Sequence, residues 1–190
     1  MANLLVVFGT QGAGKSHVLA GISGIAKIVN MGDEMLKMAE QEYGINDRDK
    51  MRTIPAYAEK SQEWRVKIFS QIEATDGTVL LDTHASIKSA DRYTPGLTMR
   101  DLDAMKGFVK GIIYIDATTE EVLSRRANDN TRNREHDTAE GIDQHRSINL
   151  SLASFFSAYL NIPLYIIHNK EGSLNEAQER LKGILQELNM

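Results

Sequence analysis

Gly9-Thr10-Gln11-Gly12-Ala13-Gly14-Lys15-Ser16 has the spacing G-x-x-x-x-G-K-S of a phosphate-binding loop. Its surroundings fit that reading. Leu4-Leu5-Val6-Val7-Phe8 precedes it, a continuous apolar run suited to a strand buried on both faces. Ser16-His17-Val18-Leu19-Ala20-Gly21-Ile22 comes next and can begin a helix. Glycines let the backbone curl so that successive N–H groups face phosphate oxygens, and the helix N-terminus adds partial positive charge there. Gly9, Thr10, Gln11, Gly12, Ala13 and Gly14 therefore form the cradle. Lys15 reaches the outer phosphates, Ser16 offers a hydroxyl to Mg2+, and His17 flanks the same phosphates.

Working outward, four further apolar runs read as strands: Lys27–Asn30, Thr78–Asp82, Gly111–Ile115 and Leu164–His168. Helical segments lie between them, including Thr119–Ala127 and Ala139–Tyr159. Strands alternating with helices imply parallel crossovers and a three-layer α/β sheet, with ligands beyond the carboxyl ends of the strands. Met31-Gly32-Asp33-Glu34, Asp82-Thr83-His84, Asp116-Ala117-Thr118 and Asn169-Lys170 fall at those ends with the glycine-rich loop. Two stretches stand outside the plain alternation. The first, about residues 32–75, is polar and Met-rich, with Met31, Met35, Met38 and Ala39 on one helical face that reads as ordinary packing. The second, about 128–137, is almost wholly polar and reads as a surface lid.

With 190 residues, 42% hydrophobic and 25% charged, the chain has the size and composition of one globular domain. No apolar run is long enough to cross a bilayer, and the run at Leu4 lacks the basic flank of a signal peptide. The absence of cysteine excludes disulfides and thiolate-bound zinc, and fits a cytoplasmic location. A net charge of −4 argues against a broad nucleic-acid surface, so any polyanion site must be a local concentration of positive charge.

That concentration lies between Arg125 and Arg146, where all five basic residues are Arg: Arg125, Arg126, Arg132, Arg134 and Arg146. Guanidinium forks clamp phosphate oxygens bidentately, so a cluster without Lys beside a lid suits closure over transferring phosphates. The alternative is a solvated helix end paired with Glu120, Glu121, Asp129, Glu135 and Asp137. Asp82 ends an apolar run and puts a carboxylate where Mg2+ can be held, or else caps the segment after the strand. Asp47-Arg48-Asp49-Lys50-Met51-Arg52 is either a phosphate-binding element or an ion-pair ladder on an exposed helix. The five histidines form no metal-binding pattern; His84, just past a strand end, is the one nearest the expected site besides His17.

Taken together, the glycine-rich loop, Arg125-Arg126, Thr131-Arg132-Asn133-Arg134, Asp47-Arg48-Asp49-x-Met51-Arg52, Val79-Leu80-Leu81-Asp82-Thr83-His84, Pro95-Gly96-Leu97 and Gln144-His145 with Asn149 resemble the archaeal-type adenylate kinases over nearly the whole chain. Three positions depart from that pattern. His17 stands where a Thr is common, Glu135-His136 follows the second lid arginine in place of Asp, and Leu150 replaces a basic residue. The resemblance implies a single P-loop kinase domain over 1–190. Its five-stranded parallel sheet has order 2-3-1-4-5, with a nucleoside-monophosphate-binding insertion and a lid. It implies ATP and AMP as substrates, Mg2+ as the metal, and a homo-oligomer, often a trimer. By that resemblance Lys15, Arg126, Arg132 and Arg134 carry catalysis, and Ser16 and Asp82 hold the metal. Arg52, Arg48, Asp33 and His84 then form the AMP side. Two other readings stay open at the level of sequence. One is a kinase for another monophosphate or a small metabolite. The other is an ATP-dependent switch or assembly factor, which an Arg-only lid favours less, since switches often receive their arginine in trans.

Overall fold

The computed structural model describes residues 2–127 and 138–190. Among these described residues, seven strands and seven α-helices follow one another as β1 (Ala2–Gly9), α1 (Lys15–Ala20), β2 (Lys27–Asn30), α2 (Met31–Tyr43), α3 (Tyr57–Glu73), β3 (Gly77–Asp82), β4 (Ser86–Ser89), β5 (Arg92–Pro95), α4 (Met99–Met105), β6 (Val109–Asp116), α5 (Thr119–Ala127), α6 (Ala139–Leu160), β7 (Leu164–His168) and α7 (Leu174–Glu187). A short 3-10 turn at Asp49–Thr53 links α2 to α3. Five strands form one sheet in the order β2-β3-β1-β6-β7, and every neighbouring pair is parallel. Counted within that sheet the order is 2-3-1-4-5, as expected.

Alternation along the central strands sends successive side chains to opposite faces. Leu4, Val6, Phe8, Val79, Leu81, Ile112 and Tyr114 face α2, α3, α4 and α6. Leu5, Val7, Leu80, Ile113, Ile115 and Ile167 face α1, α5 and α7. The sheet is thus the middle of three layers. Each buried large side chain contributes about 1.5–3 kcal/mol of transfer free energy, which fixes the register of the central strands. Met31, Met35 and Ala39 are buried in the first of these cores and Met38 packs against it, so the Met stripe is packing. Leu150, at the position where a basic residue was expected, packs against the same core.

The stretch 32–75 contains more structure than its polarity suggests. Its α3 lays Trp64, Ile68, Phe69 and Ile72 on the sheet, while Arg48 and Arg52 sit at the 3-10 turn rather than on a continuous helix. The segment after β3 also differs from expectation. It forms an antiparallel hairpin, β4 with β5, where the sequence suggested only a strand end and a turn at Pro95-Gly96-Leu97. Its strands are four residues each and mostly solvated, so no hydrophobic period announces them. The hairpin closes because Gly96 lies so near the His84 carbonyl that a Cβ there would collide with it.

Candidate active site

The loop between β1 and α1 takes its shape from its own glycines and from side chains of α5 and the end of β7. Gly12 and Gly14 adopt positive φ of 92° and 83°, the left-handed region open to glycine. Ala13 N–H closes the turn onto Thr10 O at 2.9 Å. Three side chains hold the outward-facing carbonyls. Asn169 Nδ2 and Arg125 Nη1 donate to Ala13 O at 2.8 and 3.1 Å. Arg126 donates to Gln11 O from Nε at 3.0 Å and from Nη2 at 2.6 Å. With its carbonyls engaged from outside, the loop leaves its amides for an anion on the inner side. Arg125 also donates to Asn169 O at 2.7 Å, which ties the last turn of α5 to the end of β7.

A chain of charge and amide contacts runs inward from this loop. Lys15 Nζ donates to Thr83 O at 2.9 Å and forms an ion pair with Asp82. Asp82 is buried at the tip of β3, and its Oδ2 accepts from Asn30 Nδ2 at 2.9 Å. Asn30 in turn caps α2: its Oδ1 accepts the Asp33 N–H at 3.1 Å. The same oxygen accepts from Arg48 Nη2 at 3.1 Å, and Arg48 also pairs with Asp33. Gly32 permits that approach, since a Cβ there would lie 3.0 Å from the Arg48 guanidinium. Lys15, Asp82, Asp33 and Arg48 are therefore brought into one cluster at the carboxyl ends of β1, β2 and β3. Asn30 is its central junction, and the sequence reading did not single it out. The signal was a strand-ending Asn three residues before an Asp, the pattern of a helix N-cap.

His84 borders the same cluster. Its side chain is exposed at the cavity by surface area, but the protein packed around it still disfavours the charged ring, the positive charges of Lys15 and Arg48 add to this, and its pKa falls to about 4. His84 also lines a cavity of about 470 Å³ between the phosphate loop, the β4–β5 hairpin and the start of α6. Gly9, Gln11, Lys88, Arg126, His145 and Asn149 share its wall. Its lining thus offers two imidazoles, an ammonium and a guanidinium, a set suited to an anionic ligand.

The other candidate residues are not part of this hydrogen-bonded cluster as far as the structure describes them. Ser16 and His17 are exposed on the first turn of α1, and the His17 carbonyl accepts from Gln178 Nε2 at 2.8 Å. Arg52 is exposed on the 3-10 turn, near enough to Tyr57 for its charge to oppose the rise that burial imposes on that phenol. Arg132 and Arg134 lie outside the described residues, as does the rest of 128–137. Arg146, from the same arginine cluster, forms a bidentate pair with buried Asp116, with both N–O distances 2.6 Å. That fork holds its guanidinium well above its ordinary pKa and fixes α6 to the end of β6.

A family model described as an AAA domain matches residues 8–143. An adenylate kinase of Pyrococcus abyssi is 32% identical over 97% of this chain and 96% of its own length. One from Thermoplasma acidophilum is 34% identical over 90% of this chain and 92% of its own. Among solved structures, the shikimate kinase of Acinetobacter baumannii in complex with shikimate superposes with a TM-score of 0.59 at 16% identity. It covers 98% of this chain and 95% of that one, a likeness of fold.

Proposed function

The chain belongs to the archaeal-type adenylate kinase family, and from that membership we propose that it transfers the γ-phosphoryl group of MgATP to AMP, reversibly, giving two ADP. More coarsely, it is a P-loop kinase of nucleoside monophosphates or similarly small acceptors. The observation that carries the finer reading is the unbroken cluster Lys15–Asp82–Asn30–Arg48–Asp33, which joins the donor loop to the arm bearing Arg48 and Arg52.

In the proposed reaction a phosphate oxygen of AMP attacks the γ-phosphorus in line, and the bond from that phosphorus to the β–γ bridging oxygen breaks. The attacking oxygen is already anionic, so no general base is needed. Catalysis is then positioning and neutralisation of charge on the equatorial oxygens. Loop amides and Lys15 hold the donor. Arg48 and Arg52, with Asp33 and His84 on the wall, hold the acceptor. Arg126, Arg132 and Arg134 close over the transferring group and exclude water, which otherwise would hydrolyse ATP. The Ser16 hydroxyl and the Asp82 carboxylate are hard oxygen donors that suit Mg2+, an ion held largely by phosphates and water with one or two protein oxygens. Asp82 fits that role because Asn30 fixes one of its oxygens and leaves the other toward the loop. When bound, the metal would neutralise charge on the β- and γ-oxygens.

A cytoplasmic location and a homotrimeric assembly follow only from composition and family, and belong to the same proposal. The test is purified protein with MgATP alone and with AMP, GMP, CMP or UMP, followed as ADP by chromatography. ADP formation that requires AMP and reverses from ADP supports the reading. Preference for another monophosphate would move the acceptor assignment. ATP loss indifferent to every monophosphate would sink it.

A further inference from the structure

Asn169, the residue after β7, has no part in the proposed reaction, yet it is buried against the phosphate loop with only 5% of its surface exposed. Its backbone is held on both sides. The N–H donates to Asp116 O at the end of β6 at 2.8 Å, and the carbonyl accepts from Arg125 Nη2 at 2.7 Å. The side chain then reaches 156 residues back along the sequence, where Nδ2 lies 2.8 Å from Ala13 O. A carbonyl oxygen can only accept, so the atom facing it is the carboxamide nitrogen. Arg125 Nη1 reaches the same oxygen at 3.1 Å. Gly14 makes room for this approach, since a Cβ there would collide with Asn169 Nδ2.

A trans peptide unit is planar, and its C=O and N–H point in opposite directions. The loop contains no cis bond. Holding Ala13 O from behind therefore turns the Gly14 N–H toward the inner side of the loop. The Gln11–Gly12 unit is set in the same manner: Arg126 holds Gln11 O from Nε and Nη2, which turns the Gly12 N–H inward. The unit between them is different, because the Ala13 N–H is spent on Thr10 O. Among the described residues, neither the Gly12 nor the Gly14 N–H has an acceptor. Two donors thus face the place of an anion, each aimed by a different side chain. Glycine at position 14 leaves the Ala13–Gly14 unit free to turn over, so its direction is decided from outside the loop, by Asn169 with Arg125 beside it.

We infer that Asn169 is a positioning residue for the donor phosphates: by fixing the Ala13 carbonyl it presents the Gly14 N–H to a phosphate oxygen, so that the residue at the tip of β7 sets the grip of the loop on the donor. With the unit turned over, a carbonyl oxygen would face the phosphate and repel it. The role rests on the reading of this loop as the ATP site and does not depend on which acceptor is used.

The test uses 15N-labelled full-length protein with the Gly12 and Gly14 amides assigned, and the Mg2+ complex of β,γ-imido ATP as the probe. In the wild type, saturation with the analogue moves both amide protons downfield, as a charge-assisted bond to a phosphate oxygen does. Asn169→Leu keeps the side-chain volume and removes the donor. There the Gly14 shift is largely lost while the Gly12 shift, set by Arg126, is retained, and calorimetry shows the analogue bound roughly tenfold more weakly or worse. The KM for AMP stays within about twofold. Asn169→Ser, neutral and polar but too short to reach Ala13 O, gives the same pattern and serves if the Leu variant does not fold. A wild-type Gly14 shift in these variants overturns the inference. So does an equal loss at Gly12 and Gly14, which would mean that Asn169 only stabilises the loop as a whole, and so does failure of both variants to fold. Wild-type amide shifts on binding the analogue, with no transfer from ATP to any monophosphate, would fail the kinase reading and leave the role of Asn169 to the variants. Failure of the analogue to bind the wild type overturns both.

Discussion

Replacing Asp82 by Asn should strengthen the binding of metal-free ATP while weakening catalysis. Lys15 is paired with Asp82, the two side chains exposed by 14% and 10%, and to grip phosphates it must leave that partner. Two unit charges about 4 Å apart attract by ~4 kcal/mol at an effective dielectric of ~20. Desolvation of both groups cancels much of this, leaving a net pair strength of about 1–2 kcal/mol. The Asp82→Asn change releases Lys15 from that pair, and the new carboxamide can still present an oxygen to Asn30 Nδ2, so the fold at the strand tip survives. At 1.4 kcal/mol per tenfold, ATP in EDTA should bind about 5–30-fold tighter. With Mg2+ the sign reverses. An anionic oxygen suited to the metal is gone, so the Mg2+ concentration at half-maximal rate should rise and kcat should fall about a hundredfold. Calorimetry with and without EDTA, then initial rates across a Mg2+ series, separates the two effects. Unchanged or weaker metal-free binding together with an unchanged Mg2+ profile would show that Asp82 is only a structural cap and that Lys15 is not held back by it.

Further outcomes follow from the same geometry. Arg132→Ala or Arg134→Ala should lower kcat by about a hundredfold with little change in ATP affinity; near-normal turnover in both removes the lid arginines from the mechanism. Arg48→Ala should raise the KM for AMP less than Arg52→Ala does, because Arg48 must first abandon Asp33 and Asn30; equal effects in initial-rate kinetics would refute that ranking. The His84 ring should titrate near pH 4 in the free protein and higher once the AMP dianion is close, and a midpoint in 13C spectra that AMP leaves unmoved excludes His84 from the acceptor wall. Its folded pKa lies below the unfolded value of about 6.5, so its contribution to stability is intact above pH 6.5 and is lost as pH falls toward 4. Finally, Asp116→Ala strands Arg146 at the end of β6 and should cost about 3 kcal/mol in denaturant unfolding; a loss under about 0.5 kcal/mol would mean that the fork contributes little.

How much of this was legible in sequence depends on the range over which each signal acts. The sheet was readable because its strands are continuous apolar runs set between helical segments, and burial on both faces leaves that mark whatever the neighbours are. The glycine-rich loop was readable because turn, amides, Lys15 and Ser16 are consecutive. Asp82 was readable as a carboxylate ending a buried run. The rest depends on partners distant in the chain. Asn30 acquires meaning only from Asp82, 52 residues on, and Arg48. Asn149 acquires it from Ser86, 63 residues away, and Tyr114 from Thr10, 104 residues away. No local pattern distinguishes such residues from ordinary buried or capping polar groups. The hairpin β4–β5 was hidden for a related reason, since its side chains are mostly solvated and leave no period.

The arginine cluster divides in the same way. Composition grouped Arg125, Arg126, Arg132, Arg134 and Arg146 beside the lid and left open whether Arg125 and Arg146 serve only the frame. In the structure Arg125 and Arg126 hold carbonyls of the phosphate loop, and Arg146 is locked in a fork on Asp116. Arg125 braces the loop from behind while its neighbour Arg126 also reaches the cavity wall, so adjacent residues on one helix end divide between scaffold and site. The difference comes from the ~100° step between consecutive helical residues, which points one guanidinium at β7 and the other across the loop. Charge count therefore locates the region where phosphate is handled, and only the placement of each fork decides which arginine can follow the transferring group. By that criterion Arg125 and Arg146 belong to the frame. Arg126, which grips the Gln11 carbonyl and also lines the cavity, is the described member of the cluster that stands where the proposed reaction needs a guanidinium.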